Sequence, residues 1–221
     1  QIRIAKTQKK KRYNKVRSLQ HLLVTSYEAK TLAVKKVTSN KGKRTAEIDH
    51  ILWDTDAKKV NAVCSLKRRG YRALSLKRIN IAKKNGKMRP LGIPTMRDRA
   101  MQALYLMALK PVTEATADAN SHGFRKFRST ADAIDALHRW LSRDYSPQWI
   151  LEGDIKGCSD HISHEWLLDN VRIDKHILGK WLKSRVVFNT LLQPIVKGTP
   201  QGGIISPTLA NAALDGMERR H

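Results

Sequence analysis

An aspartate that follows a short apolar run is the first group in this sequence that could take part in chemistry. Residues 148–155, QWILEGDI, predict a buried strand that ends at Asp154 and leads into a glycine-containing turn. A carboxylate in that position is well placed to hold a hard cation such as Mg²⁺, which takes oxygen ligands. The alternative is a turn or helix-capping aspartate, because Asp also accepts hydrogen bonds from nearby backbone amides.

A glycine-rich loop offers a second candidate site. Residues 198–203, GTPQGG, contain glycines that let the backbone approach a ligand closely, and the amide of Gln201 can both donate and accept hydrogen bonds. The loop stands just before a predicted helix start, where backbone N–H groups favour phosphate. Taken alone the motif is weak, because most Gly/Pro loops are ordinary turns.

A basic hairpin is the third candidate. Residues 83–89, KKNGKMR, hold Asn85-Gly86 between two extended runs, which is a strong signal for a β-hairpin. Lys83 and Arg89 on its two sides can close over a triphosphate, Lys as a point charge and Arg as a bidentate fork. Taken singly, the segment is more typical of a solvated charged hairpin than of a triphosphate site.

A fourth group superficially resembles a metal cluster: Cys158, Asp160, His161 and His164. No second ligand pair with metal-site spacing occurs elsewhere, which disfavours zinc. The only other cysteine is Cys64, so the sequence has neither a CxxC motif nor a disulfide framework. Such cysteine usage is typical of a reducing compartment.

The elements that must position these groups are a mixture of helices and strands. Mixed elements with hairpin pairing predict an α+β fold and not a regularly alternating sheet. Residues 3–12, RIAKTQKKKR, are expected to form a basic arm that is disordered alone and orders on a partner. Helices are predicted over 16–37, 98–110, 130–144, 163–170, 174–185 and 209–218, and strands over 71–81 and 148–155.

The charge is strongly one-sided. The 221 residues carry 43 Lys+Arg against 19 Asp+Glu, a net charge of +24, and 28 of those cations but only 6 of the anions lie in residues 1–100. This asymmetry predicts polyanion binding, most directly to nucleic acid. An anionic membrane surface is disfavoured because no basic amphipathic helix with aromatic anchors is evident. No apolar run approaches the ~18 residues that span a bilayer, so an intracellular protein without membrane partners is expected.

Taken together and in this order, five segments resemble the reverse transcriptase domain of group II intron-encoded proteins. The resemblance covers about residues 75–218, and several long motifs in the right order are far more specific than any one alone. The segments are RINIAKKNGKMRPLGIPTMRDRAMQALYLMAL, SHGFRKFRSTADAI, WILEGDIKGCSDHISHEWLL, DKHILGKWLKS and GTPQGGIISPTLANAALDGME.

The resemblance implies a right-hand polymerase. Its fingers would span 71–145 and the first part of its palm 146–221, preceded by a basic helical RNA-binding extension over 1–70. Asp154 matches the first catalytic aspartate, which would hold Mg²⁺ together with the backbone carbonyl of Ile155. The residues that match the incoming-nucleotide site are Lys83, Arg89, Cys158, Ser159 and Gln201.

The implied partners are the intron RNA, a DNA target or primer and deoxynucleoside triphosphates, in a cytoplasmic bacterial ribonucleoprotein. Arg125 belongs to a segment that lines the template path in this family. The basic N-terminal stretch is the other expected RNA-binding surface, through Lys9, Lys10, Lys11, Arg12 and Lys15.

Two departures from the family pattern stand out. The position after Cys158 is usually aromatic and excludes a ribose 2′-hydroxyl, whereas here it is Ser159. The YADD motif with the other metal-binding aspartates does not occur in the 221 residues, so we expect a truncated portion that is inactive alone.

Three functions stay open at this point. The first is RNA-directed DNA polymerisation during intron mobility, and the second is a splicing cofactor that grips its intron RNA. The third is a related retron or diversity-generating reverse transcriptase, against which the basic region over 1–70 argues.

Overall fold

Helices and a four-stranded sheet make up the fold in the computed structural model, which describes residues 1–40, 47–82, 86, 88–188, 191–195, 197–199 and 202–217. This mixture confirms the α+β prediction. The helices are α1 Ile2–Lys9, α2 Tyr13–Thr25, α3 Tyr27–Thr38, α4 Asp56–Ser65, α5 Met96–Thr113, α6 Thr130–Leu141, α7 Cys158–His161, α8 His164–Asn170, α9 Lys175–Leu182 and α10 Ser206–Leu214. The strands are β1 Leu76–Ala82, β2 Met88–Ile93, β3 Arg185–Phe188 and β4 Leu191–Pro194.

Helix α5 forms the centre of the core. Its apolar side chains lie on nearly all sides and are buried, among them Met101, Leu104 and Leu109. The sequence predicted a helix over 98–110, followed by Pro111 as its end or as the start of the next segment, yet α5 includes Pro111 and continues to Thr113. Proline cannot donate to the carbonyl one turn back, that of Met107. The Gln1 side chain donates to that carbonyl instead, at 2.9 Å, and so ties the N-terminus of the chain to α5.

The basic arm predicted over residues 3–12 differs most from expectation, because it contains a helix. Helix α1 packs beside α2, and Ile4, Val16 and Val112 form a small buried cluster between these helices and α5. The apolar contact of Ile4 gives the segment a folded conformation without a partner. The cations of the arm stay on the outside.

The sheet has the strand order β2-β1-β3-β4. Strands β1 and β2 pair antiparallel from Lys77 opposite Ile93 to Ala82 opposite Met88, which confirms the predicted hairpin, although turn residues 83–85 and 87 lie outside the described residues. Strand β3 pairs with β1 in parallel over only two residues, and β4 pairs with β3 antiparallel. The short β3–β4 pair was not predicted.

A buried polar cluster joins the start of the sheet to α5 and α9. The Tyr71 hydroxyl donates to the Asp98 carboxylate at 2.6 Å and accepts from the Trp181 indole at 2.7 Å. Asp98 also accepts from the Thr95 hydroxyl and the Leu74 amide. Burial raises the pKa of the Asp98 carboxyl, although these hydrogen bonds act in the opposite direction.

The strand predicted over 148–155 does not form. The segment has neither helix nor strand, and Trp149 and Leu151 are 92% and 97% exposed. A strand is stabilised by pairing with neighbours, and the described residues provide no partner strand for this one. Helix α6 is also exposed to solvent, since none of its residues is buried.

Within the described part of the chain, no helix combines the length and apolar character needed to cross a bilayer.

Candidate functional site

The glycine-rich loop docks on the turn that contains Cys158 and Ser159. The Thr199 amide donates to the Ser159 carbonyl at 2.7 Å, and the Gly198 amide donates to the Ile162 carbonyl at 2.9 Å. A ring nitrogen of His164 lies 2.7 Å from the Gly198 carbonyl. Backbone hydrogen bonds therefore join two motifs that are about forty residues apart in the sequence.

Gly198 is the residue that makes this close approach possible. Its φ is +83°, and a Cβ atom there would lie 2.6 Å from the Ser159 carbonyl oxygen and 2.7 Å from the Asp160 Cα. Both distances are shorter than any ordinary contact, so a side chain would force the loop off α7. The sequence predicted that a glycine in this loop would allow close approach to a ligand. In the structure, Gly198 instead allows close approach to the backbone of Ser159 and Asp160.

Gly202 brings the same loop to the hairpin. It has φ +115°, and a Cβ atom there would lie 2.9 Å from the carbonyl oxygen of Gly92 on β2. The β1–β2 hairpin, the Cys158–Ser159 turn and the glycine-rich loop thus meet at one place. The sequence predicted all three as candidate site segments.

A cavity of about 300 Å³ opens beside this meeting point. Arg78 and Lys197 supply positive charge to its walls, and Asp160 a carboxylate. Arg78 donates to the Gln193 side-chain oxygen at 3.1 Å and lies 5.8 Å from the centroid of the Phe188 ring. Strands β1, β2, β3 and β4 all contribute residues to the lining of this cavity. Its two cations and small volume suit part of an anionic ligand such as a nucleotide.

The structure brings together only some of the predicted nucleotide-binding residues. Cys158 and Ser159 are half-buried on α7, directly beneath the docked loop. Arg89 is exposed on β2, opposite Ile81 in the hairpin register. Lys83 and Gln201 lie outside the described residues, so their placement stays a prediction.

Asp154 lies four residues before α7, with its side chain exposed. The Cys158 amide donates to the Ile155 carbonyl at 3.2 Å, which fixes that carbonyl relative to the turn. A carboxylate and a carbonyl are the hard oxygen donors that Mg²⁺ takes, so these two residues fit part of a magnesium site. Among the described residues, no group of three or more His, Cys, Asp or Glu side chains is placed to hold a metal ion, the Cys158–His164 set included.

The predicted RNA-binding cations of the N-terminus lie together on the outside of the α1–α2 pair. The turn between the two helices is closed by hydrogen bonds from the Lys11 amide to the Gln8 carbonyl and from the Arg12 amide to the Thr7 carbonyl. All five predicted cations are exposed: Lys9, Lys10, Lys11, Arg12 and Lys15. The fold therefore presents a compact cationic turn to solvent.

Arg125 is placed differently from the other predicted RNA-binding residues. Its guanidinium pairs with the Glu114 carboxylate at 2.8 Å and donates to the carbonyls of Asp118 and Ser121 at 2.6 and 3.2 Å. The Arg125 side chain is only 10% exposed. These contacts stabilise the conformation of the loop that carries Arg125.

Sequence reasoning missed the cavity residues Arg78, Gln193 and Lys197. The alternation of β1 places Arg78 on the same face as Leu76, which is a local signal. Gln193 belongs to the unpredicted β3–β4 pair, whose four-residue strands carry no comparable signal.

Comparison with known families finds two matches in this sequence. The N-terminal domain of reverse transcriptase matches residues 1–66, and the reverse transcriptase (RNA-dependent DNA polymerase) family matches residues 81–221. The second match covers more than half of the chain. The chain therefore belongs to the reverse transcriptase family.

Its curated relatives include proteins encoded within introns, which confirms the resemblance to group II intron-encoded proteins. The group II intron-encoded protein LtrA of Lactococcus lactis subsp. cremoris is 37% identical over 200 residues, which are 85% of this chain and 32% of LtrA. Protein YkfC of Escherichia coli strain K12 is 36% identical over 157 residues, which are 67% of this chain and 41% of YkfC. An uncharacterized 91 kDa protein in the cob intron of Schizosaccharomyces pombe is 32% identical over 160 residues, 70% of this chain and 20% of that protein. The chain thus spans less than half the length of each of these relatives.

Proposed function

We propose that the whole protein is the RNA-directed DNA polymerase of a group II intron, and that it also binds the intron RNA and assists splicing and mobility. Family membership and the intron-encoded relatives support this function. The observation that carries the proposal is the meeting of three distant motifs, in which Gly198 lies against Ser159 and Gly202 against Gly92. A site for an incoming nucleotide needs such a convergence of hairpin, turn and loop.

The proposal divides the chain into fingers over 71–145 and part of a palm over 146–221, after the basic extension over 1–70. Two exposed apolar surfaces support the proposal that the palm includes further residues. Ile134, Leu137 and Leu141 recur at helical spacing on α6 and are exposed, and the apolar residues 149–151 beside Asp154 are exposed as well. Further palm residues would cover both surfaces and provide the pairing that the 148–155 segment lacks.

The nucleotide would lie between the hairpin and α7. Lys83 and Arg89 would neutralise the triphosphate from the fingers side, and Gln201 would contact the nucleotide from the loop. Cys158 and Ser159 would lie beneath it. Because Ser159 is small, the space that an aromatic ring fills elsewhere in the family would stay open to a ribose 2′-hydroxyl.

Asp154 and the Ile155 carbonyl would hold Mg²⁺. When bound, Mg²⁺ supplies activation of the primer 3′-hydroxyl and stabilisation of the pyrophosphate leaving group. Asp154 contributes one carboxylate to this set, so the remaining carboxylates would come from further palm residues. The tie between the Cys158 amide and the Ile155 carbonyl supports this role, because it orients one donor relative to the nucleotide turn.

RNA binding is the second function, and the exposed cations of the α1–α2 pair favour it: Lys9, Lys10, Lys11, Arg12 and Lys15. Five neighbouring cations on a folded helix pair are suited to backbone phosphates of a structured RNA. This surface belongs to the N-terminal extension, whereas the nucleotide site belongs to the fingers and palm. A cytoplasmic ribonucleoprotein is part of the same proposal.

Binding of a magnesium–deoxynucleotide complex tests the proposed nucleotide site in this chain. Replacing Arg89 by Gln should weaken binding by about 10–150-fold, since a hydrogen bond to a charged group contributes ~1.5–3 kcal/mol. Lys77→Gln is a matched control, because Lys77 is an exposed cation at the far end of the same hairpin. Equal affinities of the Arg89→Gln variant and the original chain would contradict the placement of the triphosphate.

A further inference from the structure

One buried carboxylate holds both ends of the β1–β2 hairpin. Asp98 is 2% exposed, and its Oδ2 atom accepts hydrogen bonds from the Leu74 amide at 3.1 Å and from the Thr95 hydroxyl at 2.9 Å. Leu74 lies two residues before β1, and Thr95 lies two residues after β2. A single side chain therefore ties the segment that enters the hairpin to the segment that leaves it.

Within the described residues, strand pairing joins the hairpin to the rest of the sheet only at its base. Strand β1 pairs with β3 at Leu76 and Lys77. Residues 78–82 of β1 pair with β2 alone among the residues that the structure describes, and β2 is an edge strand. The direction of the hairpin, and with it the position of Arg89, therefore depends on how the base is held.

The length of the hairpin magnifies any movement at its base. Arg89 lies four residues before the end of β2 at Ile93, about 13 Å along a strand that rises ~3.3 Å per residue. A rotation of about 5° at the base moves a point at that distance by about 1 Å. A misplacement of about 1 Å caused by a distant substitution can lower the rate of an enzyme about 100-fold. The hairpin therefore needs a firmly held base if Arg89 is to meet a phosphate group.

The other oxygen of the Asp98 carboxylate has a different partner. Its Oδ1 atom accepts from the Tyr71 hydroxyl at 2.6 Å, and that hydroxyl accepts from the Trp181 indole of α9 at 2.7 Å. Oδ2 thus closes the base of the hairpin, whereas Oδ1 connects this base to α9. The two roles can be separated by substitution, because they use different donors.

We propose that Asp98 is a positioning residue for the incoming nucleotide, because its Oδ2 atom fixes the direction of the hairpin that carries Arg89. Asp98 is buried, so it acts through the Arg89 guanidinium and not by contact with the nucleotide. This inference rests on the nucleotide site proposed above and deepens it. A carboxylate that served stability alone would affect folding and leave nucleotide affinity unchanged.

Binding of a magnesium–deoxynucleotide complex to this chain tests the positioning role. Asp98→Ala removes the acceptor of both hairpin ties. Its affinity should fall about tenfold, as expected when the hairpin holds the binding orientation about a tenth of the time. Tyr71→Phe is the matched control from the same buried cluster, because it removes the donor to Oδ1 and keeps both ties to Oδ2. It should lower the melting temperature and leave the affinity unchanged.

Thr95 provides a milder pair of variants that does not depend on the folding of Asp98→Ala. Thr95→Val keeps the shape of the side chain and removes the hydroxyl that donates to Oδ2. Its affinity should lie between those of the original chain and Asp98→Ala. Thr95→Ser keeps the hydroxyl and should bind as the original chain does.

Two further readouts separate positioning from general destabilisation. The combined loss in Asp98→Ala/Arg89→Gln should be much smaller than the product of the two single losses, because both changes affect the same contact. Amide hydrogens of β1 and β2 should exchange faster in Asp98→Ala relative to those of α5, and Tyr71→Phe should not show this difference. Full additivity, or an equal loss of affinity in Tyr71→Phe, would overturn the positioning role.

The Arg89 variant distinguishes failure of this inference from failure of the nucleotide site. Unchanged affinity in Asp98→Ala and Thr95→Val, together with weakened binding in Arg89→Gln, would overturn the positioning role and leave the site intact. Equal affinities of Arg89→Gln and the original chain would contradict the nucleotide site itself.

Discussion

Gly198 occupies a point where the glycine-rich loop and the α7 turn have no room for a side chain. The Gly198→Ala variant places a Cβ 2.6 Å from the Ser159 carbonyl oxygen. We expect it to lower the free energy of unfolding through this clash by about 1–3 kcal/mol, in the range of overpacked sites, and to displace the loop. Urea unfolding of the purified variant measures this loss.

Gly70→Ala is the matched control for that experiment. Gly70 also has a positive φ, +74°, but no atom lies within 4 Å of the Cβ that alanine would add. It therefore reports backbone strain without the clash. Equal losses in the two variants would show that the loop is not held tightly against α7.

Ser159 leads to a prediction about sugar selection by the active polymerase. Restoring an aromatic ring with Ser159→Phe should raise the ratio of kcat/KM for deoxynucleotides over ribonucleotides. Filling or opening the space for one small group changes discrimination by about 10–200-fold. Steady-state kinetics with both nucleotides provide the test. An unchanged ratio would mean that another side chain fills the space.

For single residues, the sequence predicted which side chains could take part in chemistry better than it predicted their contacts with distant segments. The glycines of GTPQGG and the Cys158–Ser159 turn were predicted because loop chemistry is local. That Gly198 lies against Ser159, and that Arg125 pairs with Glu114, depends on how distant segments pack. Exposed cations such as Lys9 and Lys10 were predictable, since charged side chains stay at the surface unless they have a partner.

At the scale of elements, the exposed apolar face of α6 leads to a specific prediction. Replacing Ile134 and Leu137 by Gln should change the stability of this chain by no more than about 0.5 kcal/mol, as at other surface positions. The same change should destabilise a protein extended through the remaining palm, where we expect that side to be covered. Thermal denaturation of both lengths compares the two cases.

Leu104→Ala serves as the core control for the α6 experiment. Leu104 is 1% exposed at the centre of α5, so its truncation should cost about 2–5 kcal/mol at either length. A large loss of stability from the α6 substitutions in the 221-residue chain would contradict the exposure of this face. No added loss in the extended protein would contradict an α6 contact with the palm.

Local signals explain which elements were predictable. Helix α5 has apolar residues at helical spacing and a Thr95 cap, and the sequence between β1 and β2 contains Asn-Gly, a strong local hairpin signal. The 148–155 segment has equally strong apolar character but no partner strand among the described residues. Whether such a run becomes a strand depends on pairing with residues far away in the sequence, which local periodicity does not encode.

For the whole molecule, the one-sided charge predicts how RNA affinity responds to salt. If the N-terminal half neutralises six to ten phosphates, affinity should fall by ~10³–10⁵ between 50 and 200 mM salt. Deleting residues 1–15 would also remove the buried contacts of Ile4, so substitution is the cleaner change. Replacing Lys9, Lys10, Lys11 and Arg12 by Gln should flatten the dependence of log affinity on log salt.

Lys58 and Lys59 on α4 provide the control for this titration. Both already pair with carboxylates, Asp54 and Asp56, at 2.7 and 2.8 Å. Their replacement by Gln should leave the salt dependence nearly unchanged. An unaltered slope in the N-terminal variant would show that the cationic turn does not contact phosphate.

Primer extension on an RNA template tests the central proposal, that the converging motifs belong to the nucleotide site of an RNA-directed DNA polymerase. We predict that residues 1–221 bind the RNA template without extending the primer, and that a protein extended through the remaining palm synthesises DNA. Asp154→Asn should abolish that synthesis, whereas Glu152→Gln, an exposed carboxylate two residues earlier, should retain it. Undiminished synthesis by the Asp154→Asn protein, or Asp154-dependent synthesis by residues 1–221 alone, would contradict this account.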